Sequence, residues 1–309
     1  MKSSKKGFKK TSKKVSDIGE KDLVNYILSK SNTIIPDDAA ILDFKNTKLI
    51  STTDMLIQTK HFPDEMTHYQ MGFKAVTVNV SDIAAMGAKP LGFLLSIALP
   101  KSLPYADFKE IIKGVIDGCE FYKIPLIGGD LNEASEIIIS ATALGECKKP
   151  IMKDGYSEGD LVCLTGKIGL AALGFISDDY KDYALNPRAR LSEALKLKDF
   201  ATSMTDITDG LSSELYTIKK DDYGFMIYED KLKITDEFKA NAGEDYLEYV
   251  LYVGEDFELL FTVSKDDLDD LPINCMVIGE VTRTGKVEIT LTDSKVCEIE
   301  KRGYEHYVS

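Results

Sequence analysis

The 309-residue sequence predicts an α/β (α+β) protein of two mixed domains, and three observations carry that prediction. The length suffices for two domains of ordinary size. Apolar runs of strand composition alternate with stretches of helical periodicity in both halves. Between the halves, Pro150 through Gly159-Asp160 is rich in Gly, Ser and charge, as domain boundaries are. The division expected is a basic flexible tail at 1–16, an N-terminal domain at 17–149 and a C-terminal α/β domain at 150–309.

Met1–Ser16 holds seven lysines and no acid, and reads as a solvated arm. Asp17-Ile-Gly-Glu20 resembles a capping box ahead of an apolar helix through Leu28. Lys48–Thr53 has strand composition and runs straight into Asp54. Tyr69–Met86 places apolar residues at 71, 75, 78, 83 and 86, mostly at helical spacing, although its β-branched 76–80 segment opposes a helix. Leu91–Leu99 reads as a buried strand and Phe108–Tyr122 as a helix. Ile124–Ile127 is a short strand broken by Gly128-Gly129-Asp130, and Ile137–Leu144 is a further strand. Beyond the boundary, Leu161–Thr165 is a strand meeting Gly166, and Ala201–Thr208 leads through Asp209-Gly210 into a helix from Leu211. Phe257–Val263, Cys275–Val281 and Val287–Leu291 supply further strands.

Composition excludes several function classes. Hydrophobic residues make up 44% and charged ones 29%, the range of globular chains. The net charge is −13, and −20 once the basic tail is set aside, so the body lacks the basic face that nucleic acid requires. The longest apolar run stops at Pro100, far short of the roughly 20 residues that span a bilayer, and the basic start leads into polar residues rather than a secretory core. The five cysteines (119, 147, 163, 275 and 297) form no C-x-x-C pair, which argues against a disulfide framework or a zinc knuckle. A soluble, cytoplasmic protein with no nucleic-acid or membrane partner is the expectation.

Familiar nucleotide and nucleophile motifs are missing. Gly166-Lys167 and Gly285-Lys286 lack the remainder of a Walker A loop, and neither a kinase H-R-D or D-F-G set nor a G-x-G-x-x-G fingerprint occurs. Three histidines (61, 68 and 306) and no G-x-S-x-G elbow give no sign of a catalytic triad. What stands out is acid at the ends of apolar segments. Asp37-Asp38 precede Ala39–Leu42, Asp54 follows Thr52 and Thr53, and Asp82 follows Asn79 at a spacing that shares a helix face. Asp130 follows Gly-Gly, Asp206 and Asp209 flank Ile-Thr, and Glu255, Asp256 and Glu258 lie in one later run. Taken singly, each has a plain structural use as a helix cap, an Asx turn or a solvated loop. Gathered on one rim of a sheet, they would repel each other unless cations neutralised them. Mg²⁺ fits best, because it takes a carboxylate or two per ion and fills its octahedron with waters and substrate phosphates. The residues alone therefore point to a Mg²⁺-dependent enzyme acting on phosphate compounds.

In their order and spacing these motifs resemble the thiamine-monophosphate kinase family. The resemblance is carried by Pro36-Asp-Asp-Ala-Ala-Ile-Leu42, Ser51-Thr-Thr-Asp-Met-Leu56 with His61-Phe62, and the long segment Lys74–Pro90 containing Ala-Ala-Met-Gly-Ala. Leu126-Ile-Gly-Gly-Asp130, Asp206-Ile-Thr-Asp-Gly-Leu211 and Gly254-Glu-Asp-Phe-Glu-Leu259 complete it, from about Asp17 to Tyr304. The Lys74–Pro90 segment marks the wider aminoimidazole-ribonucleotide-synthetase superfamily, and Thr-Thr-Asp followed by His-Phe narrows it to the kinase. The resemblance implies an N-terminal ATP-binding domain whose sheet pairs with its twin in a homodimer, and a C-terminal α/β domain. It implies direct in-line transfer of the γ-phosphate of ATP to thiamine monophosphate, the last step of thiamine diphosphate synthesis, without a phosphoenzyme. Asp38, Thr52, Thr53, Asp54, Asp82, Asp130, Asp206 and Asp209 would hold several Mg²⁺ ions. Gly129, Asp130, Lys153 and Thr208 would contact ATP, and His61, Glu255 and Tyr304 would contact thiamine phosphate. No residue is implied as an acid or base.

Four positions depart from the family's pattern. Pro36 stands for a usual Gly, Thr208 for Ser with its hydroxyl kept, and Val253 for the first Gly before Glu255. Lys153 replaces an Arg, keeping the charge but losing the bidentate fork. Sister enzymes fit less well. The first cysteine is Cys119, where selenide kinases carry a reactive residue near the N-terminus, and the chain ends Tyr307-Val-Ser309 without the C-terminal cysteine of the hydrogenase-maturation relative. A non-catalytic nucleotide-binding paralogue would be expected to have lost carboxylates that are all present.

Overall fold

The computed structural model describes residues 14–31 and 37–304. Residues 1–13, most of the basic tail, and Pro36 lie outside the described residues. The first segment is a helix, α1 (Glu20–Lys30), entered through Gly19 with no side-chain cap. The expected capping box is not formed: the Asp17 carboxylate instead accepts the Lys14 backbone N–H at 2.7 Å.

Residues 37–304 form one compact unit holding two sheets. The first sheet comprises β1 (Ala40–Phe44), β2 (Thr47–Ile57), β3 (Lys89–Leu99), β4 (Leu126–Glu133) and β5 (Ile138–Cys147), in the order β1-β2-β5-β3-β4. A short turn of helix, α2 (Gln58–His61), follows β2; α3 (His68–Ala85) and α4 (Tyr105–Tyr122) are the long helices of this half. Thr67 caps α3 and Gln70 returns the bond, a reciprocal cap beyond those expected from the sequence. Thirteen of the 18 residues of α3 are buried, so tertiary burial overrides the strand preference of Val76-Thr-Val-Asn-Val80. α3 and α4 cross where both are glycine. A Cβ at Gly72 would stand 2.0 Å from the Ile111 carbonyl, and one at Gly114 1.9 Å from that of Tyr69.

Two expectations about strand ends are corrected. β2 continues through Asp54 to Ile57, so that carboxylate sits within a strand that pairs with β5 from Lys48 to Ile57. β4 begins at Leu126 and runs through Gly128-Gly129-Asp130, because parallel pairing with β3 from Phe93 to Leu99 outweighs the glycines. β1 is a further addition to the expected strands; it pairs antiparallel with the first half of β2.

The second sheet is mixed: β6 (Leu161–Leu164), β7 (Ala201–Asp206), β8 (Gly224–Tyr228), β9 (Leu259–Val263), β10 (Met276–Thr282), β11 (Val287–Thr290) and β12 (Val296–Glu298) lie in the order β12-β11-β8-β10-β6-β9-β7. Its helices are α5 (Leu170–Gly174), α6 (Lys181–Leu185), α7 (Leu191–Leu197), α8 (Leu211–Ile218), α9 (Asp236–Ala242) and α10 (Tyr246–Leu251). Five of these strands coincide with apolar runs identified in the sequence, whereas β8 and β12 do not. Two hydrophobic clusters fill the unit. One takes residues from both halves, including Val76, Phe93, Leu197, Met204 and Phe261; the other is built around Phe225, Leu260 and Ile278.

Candidate active site

The acids do not gather at one sheet rim. They meet where the inner face of β2, the last turns of α3 and the end of β7 come together. Thr52 and Asp54 alternate inward on β2, and the Thr52 hydroxyl donates to the Asp82 carboxylate on α3. Asp206 ends β7, and its neighbour Thr205 donates to Asp38 Oδ1 at 2.9 Å. Lys153 Nζ also lies 2.7 Å from Asp38 Oδ1, while the Lys153 backbone N–H donates to Asp37 Oδ2 at 3.3 Å.

Crowding these groups away from water sets their protonation. Burial pushes Asp38 up to about 7, against the pull of Lys153 and with the help of Asp206. Asp54 is pushed up to about 6 by burial. Asp206 is likewise raised to about 6, chiefly by burial; the nearby Ser81 hydroxyl tempers the rise without closing a hydrogen bond. Asp82 lies well above the usual carboxylate range through burial and then the charges of Asp206, Asp54 and Asp38. On Lys153 burial works against the charge, but Asp38, Glu214 and Asp37 outweigh it and hold the ammonium above its ordinary range.

Asp38 Oδ2, Asp54 Oδ2 and Asp206 Oδ2 are buried without a hydrogen-bond partner, as are Asn79 Oδ1 and Ser81 Oγ. Orphaned oxygens of this kind are expensive unless something outside the chain binds them. Hard oxygen donors, three of them carboxylate, are the donor set of Mg²⁺. Among the described residues no three of these side chains close on one point by themselves.

The remaining candidates fall around this cluster or away from it. Asp209 and Thr208 occupy the loop after β7; Tyr304 donates its backbone N–H to the Asp209 carbonyl at 3.3 Å, which brings the end of the described chain to that loop. Thr208 O accepts the Glu255 N–H at 2.9 Å, and Ile207 O that of Phe257. A Cβ at Gly254 would stand 1.8 Å from Thr208 O, so only glycine lets these two loops zip together. His61 ends α2, its Nδ1 accepting the Ile57 N–H at 2.9 Å.

Thr53, Gly129 and Asp130 are not brought to the cluster within one chain. Across the sheet, Met55, Ser140, Ser96 and Asp130 are in register, on the face opposite Asp54, and Asp130 is exposed. Thr53 shares that outer face, with its hydroxyl on the Ala141 carbonyl at 2.8 Å.

The Glu255–Glu258 run divides its acids among three tasks. Asp256 accepts the N–H groups of Gly169 and Ala171 at the start of α5, and burial pushes it up to about 7. Glu258 is held in a fork by Arg190 and takes the Thr165 hydroxyl at 2.6 Å. Glu255 looks into a cavity of about 660 Å³ walled also by Lys167, Asp182, Tyr183, Arg188 and Arg190.

Sequence reasoning assigns no role to Lys74 or Glu214. Lys74 pairs with Glu255, and Glu214 sits beside Asp209, whose N–H points to its carboxylate at 3.4 Å; burial raises Glu214 well above its usual range. A lysine inside the apolar stripe Met71–Val78 was the available signal for the first. For Glu214, a single acid in a helix's first turn is indistinguishable from a dipole partner.

Residues 36–147 match the family model described as AIR synthase related protein, N-terminal domain. The chain is 39% identical over 279 residues to the thiamine-monophosphate kinase of Pyrococcus abyssi, covering 87% of this chain and 89% of that one. It is 35% identical over 297 residues to that of Pyrococcus horikoshii, covering 93% and 96%. Among solved structures, the one described as AaThiL complexed with AMPPCP and TMP superposes with a TM-score of 0.88 at 29% identity, over 96% of this chain and 99% of that chain. The chain therefore belongs to the thiamine-monophosphate kinase family.

Proposed function

We propose that the protein transfers the γ-phosphate of ATP to thiamine monophosphate, giving thiamine diphosphate and ADP, with Mg²⁺ as its metal. The observation that carries this reading is the knot of buried carboxylates with unpartnered oxygens on Asp38, Asp54 and Asp206; Glu255, on a cavity wall, is tied by its backbone N–H to Thr208, two residues after Asp206. Its setting adds weight: nearly the whole chain aligns with a relative described as binding AMPPCP and TMP.

Asp38, Asp54, Asp82 and Asp206 would hold the ions, with Thr52 and Asp209 at the margin. Mg²⁺ held by these residues would supply positive charge to neutralise the phosphates. An anionic acceptor oxygen needs no base; positioning and charge neutralisation carry the chemistry. Lys153 and Thr208 would contact ATP. Lys153 has Asp38 as its resting partner, so the approaching phosphate would compete for its ammonium. Glu255, with His61 and Tyr304, would meet the acceptor, a carboxylate and a ring suiting a cationic thiazolium.

Asp130 and Thr53 would act from the outer face of the first sheet, and Gly129 from its edge strand β4, where it is in register with Leu95, Ala141 and Asp54. There β4 is an exposed edge strand throughout, with Leu126, Ile127 and Leu131 in the open, and Met55 is 56% exposed on the same sheet. Such an edge favours pairing with a second copy, and this supports a homodimer in which the outer-face residues complete the ATP side. Among the described residues no helix is long and apolar enough to cross a membrane.

The test is a chromatographic assay of purified protein with ATP, Mg²⁺ and thiamine monophosphate. Thiamine diphosphate and ADP should form in equal amounts and vanish with EDTA. ATP left intact with this acceptor would refute the substrate assignment.

A further inference from the structure

Lys74 lies on α3 two turns before Asp82, with only 2% of its side chain exposed. A buried ammonium is tolerated only with partners that offset its lost hydration. Lys74 Nζ has two, and they come from different parts of the fold: the carbonyl oxygen of His61 at 2.8 Å and Glu255 Oε2 at 2.5 Å. One ammonium thus joins the turn after β2, the helix carrying Asp82, and the loop zipped onto Thr208.

The Glu255 loop needs such an anchor. Glu255 and Phe257 both hold the left-handed backbone, with φ of 71° and 51°, which non-glycine residues rarely adopt. The backbone bonds to Ile207 and Thr208 place the loop, but they do not choose the rotamer of a glutamate that is 31% exposed at a cavity wall. The bond to Lys74 fixes that side chain.

We propose that Lys74 is a positioning residue for the acceptor substrate: it holds Glu255 and the His61 turn in one arrangement before thiamine monophosphate arrives, so that the cationic ring meets an already oriented carboxylate. The inference rests on the reading of Glu255 as an acceptor contact, and it adds a residue that touches neither substrate nor metal. Preorganisation of this kind shows in affinity for one substrate, whereas a lysine that merely balanced charge in the core would show in stability alone.

The experiment is a double-mutant cycle read by calorimetric titration of thiamine monophosphate, with Mg²⁺ and a non-hydrolysable ATP analogue present. It compares wild type, Lys74→Met, Glu255→Gln and the double variant, which keeps the charge balanced should Lys74→Met alone fold poorly. Lys74→Met should weaken thiamine monophosphate binding by about tenfold, as losing one partner of a desolvated charge pair does, and leave ATP-analogue binding within about twofold. In the Glu255→Gln background it should add no more than about twofold, because the lysine acts through that carboxylate. Wild-type affinity in Lys74→Met, or a double variant weakened by the product of the single effects, would overturn the proposal. Turnover by the wild type tests the reaction separately, so a failure of the kinase reading is distinguishable from a failure of the lysine's role.

Discussion

Asp54→Asn separates metal binding from folding. Asp54 Oδ2 is buried without a partner, and burial raises the group from 3.8 to about 6. In the metal-free protein at pH 8 the carboxylate is ionised in both folded and unfolded chains. Because the folded chain surrenders this proton only near pH 6, keeping the charge in place costs it roughly 3 kcal/mol relative to the unfolded chain. Asparagine has nearly the same shape and no charge, so the metal-free variant should be more stable than wild type by up to that amount, about 5 °C in Tm for a chain of this size. The sign follows from proton binding. The native state holds this proton more tightly than the unfolded chain, so wild-type stability falls as pH rises from about 4 to about 6 and stays low above. The advantage of the variant should therefore be absent near pH 4 and full by pH 7 to 8. With Mg²⁺ the order reverses, because the ion stabilises only the chain that keeps its ligand. Turnover should fall by about a hundredfold or more. Thermal unfolding across pH, with Mg²⁺ or EDTA, and an assay of ADP release read all three effects. A variant with wild-type kcat, or one no more stable than wild type at pH 8 without metal, would refute the reasoning.

Other consequences are open to direct measurement. Mg²⁺ alone, without nucleotide, should raise the Tm of the wild type, by the equivalent of about 2.7 kcal/mol at a hundredfold excess over its Kd; an unchanged Tm would remove the cluster as a metal site. Lys153→Met should raise KM for ATP by about tenfold with KM for thiamine monophosphate little changed, and Lys153→Arg should restore most of it, since charge rather than shape is what the ion pair with Asp38 preserves. Leu131→Lys on the exposed edge strand should shift light-scattering mass from dimer toward monomer; a variant of unchanged mass would place any dimer contact elsewhere.

How much was legible depended on how local each cause is. The buried strand ending at Leu99 and the helix after Asp209-Gly210 follow from apolar patterning and turn chemistry within the segment, whereas the helix over His68–Ala85 has helical spacing but needs burial to override its β-branched centre. The strand through Gly128-Gly129-Asp130 does not follow from its own segment, because its stability comes from pairing with β3, on the far side of α4 in the chain. The short strands β8 and β12 escape notice for the same reason.

Residue identities alone carry the chemical character of the site: the acids, their order and their spacing name the donor type and the family. Which acids share a space is a property of the folded chain. Strand alternation sends Asp54 inward to Asp82, Asp206 and Asp38 and leaves Thr53 and Asp130 on the opposite face, a distinction fixed by register and by which face α3 covers. Lys74 becomes visible the same way. Its partners Glu255 and His61 lie 181 and 13 residues away, and burial beside them, rather than any local pattern, is what turns an ordinary lysine into a candidate part of the site.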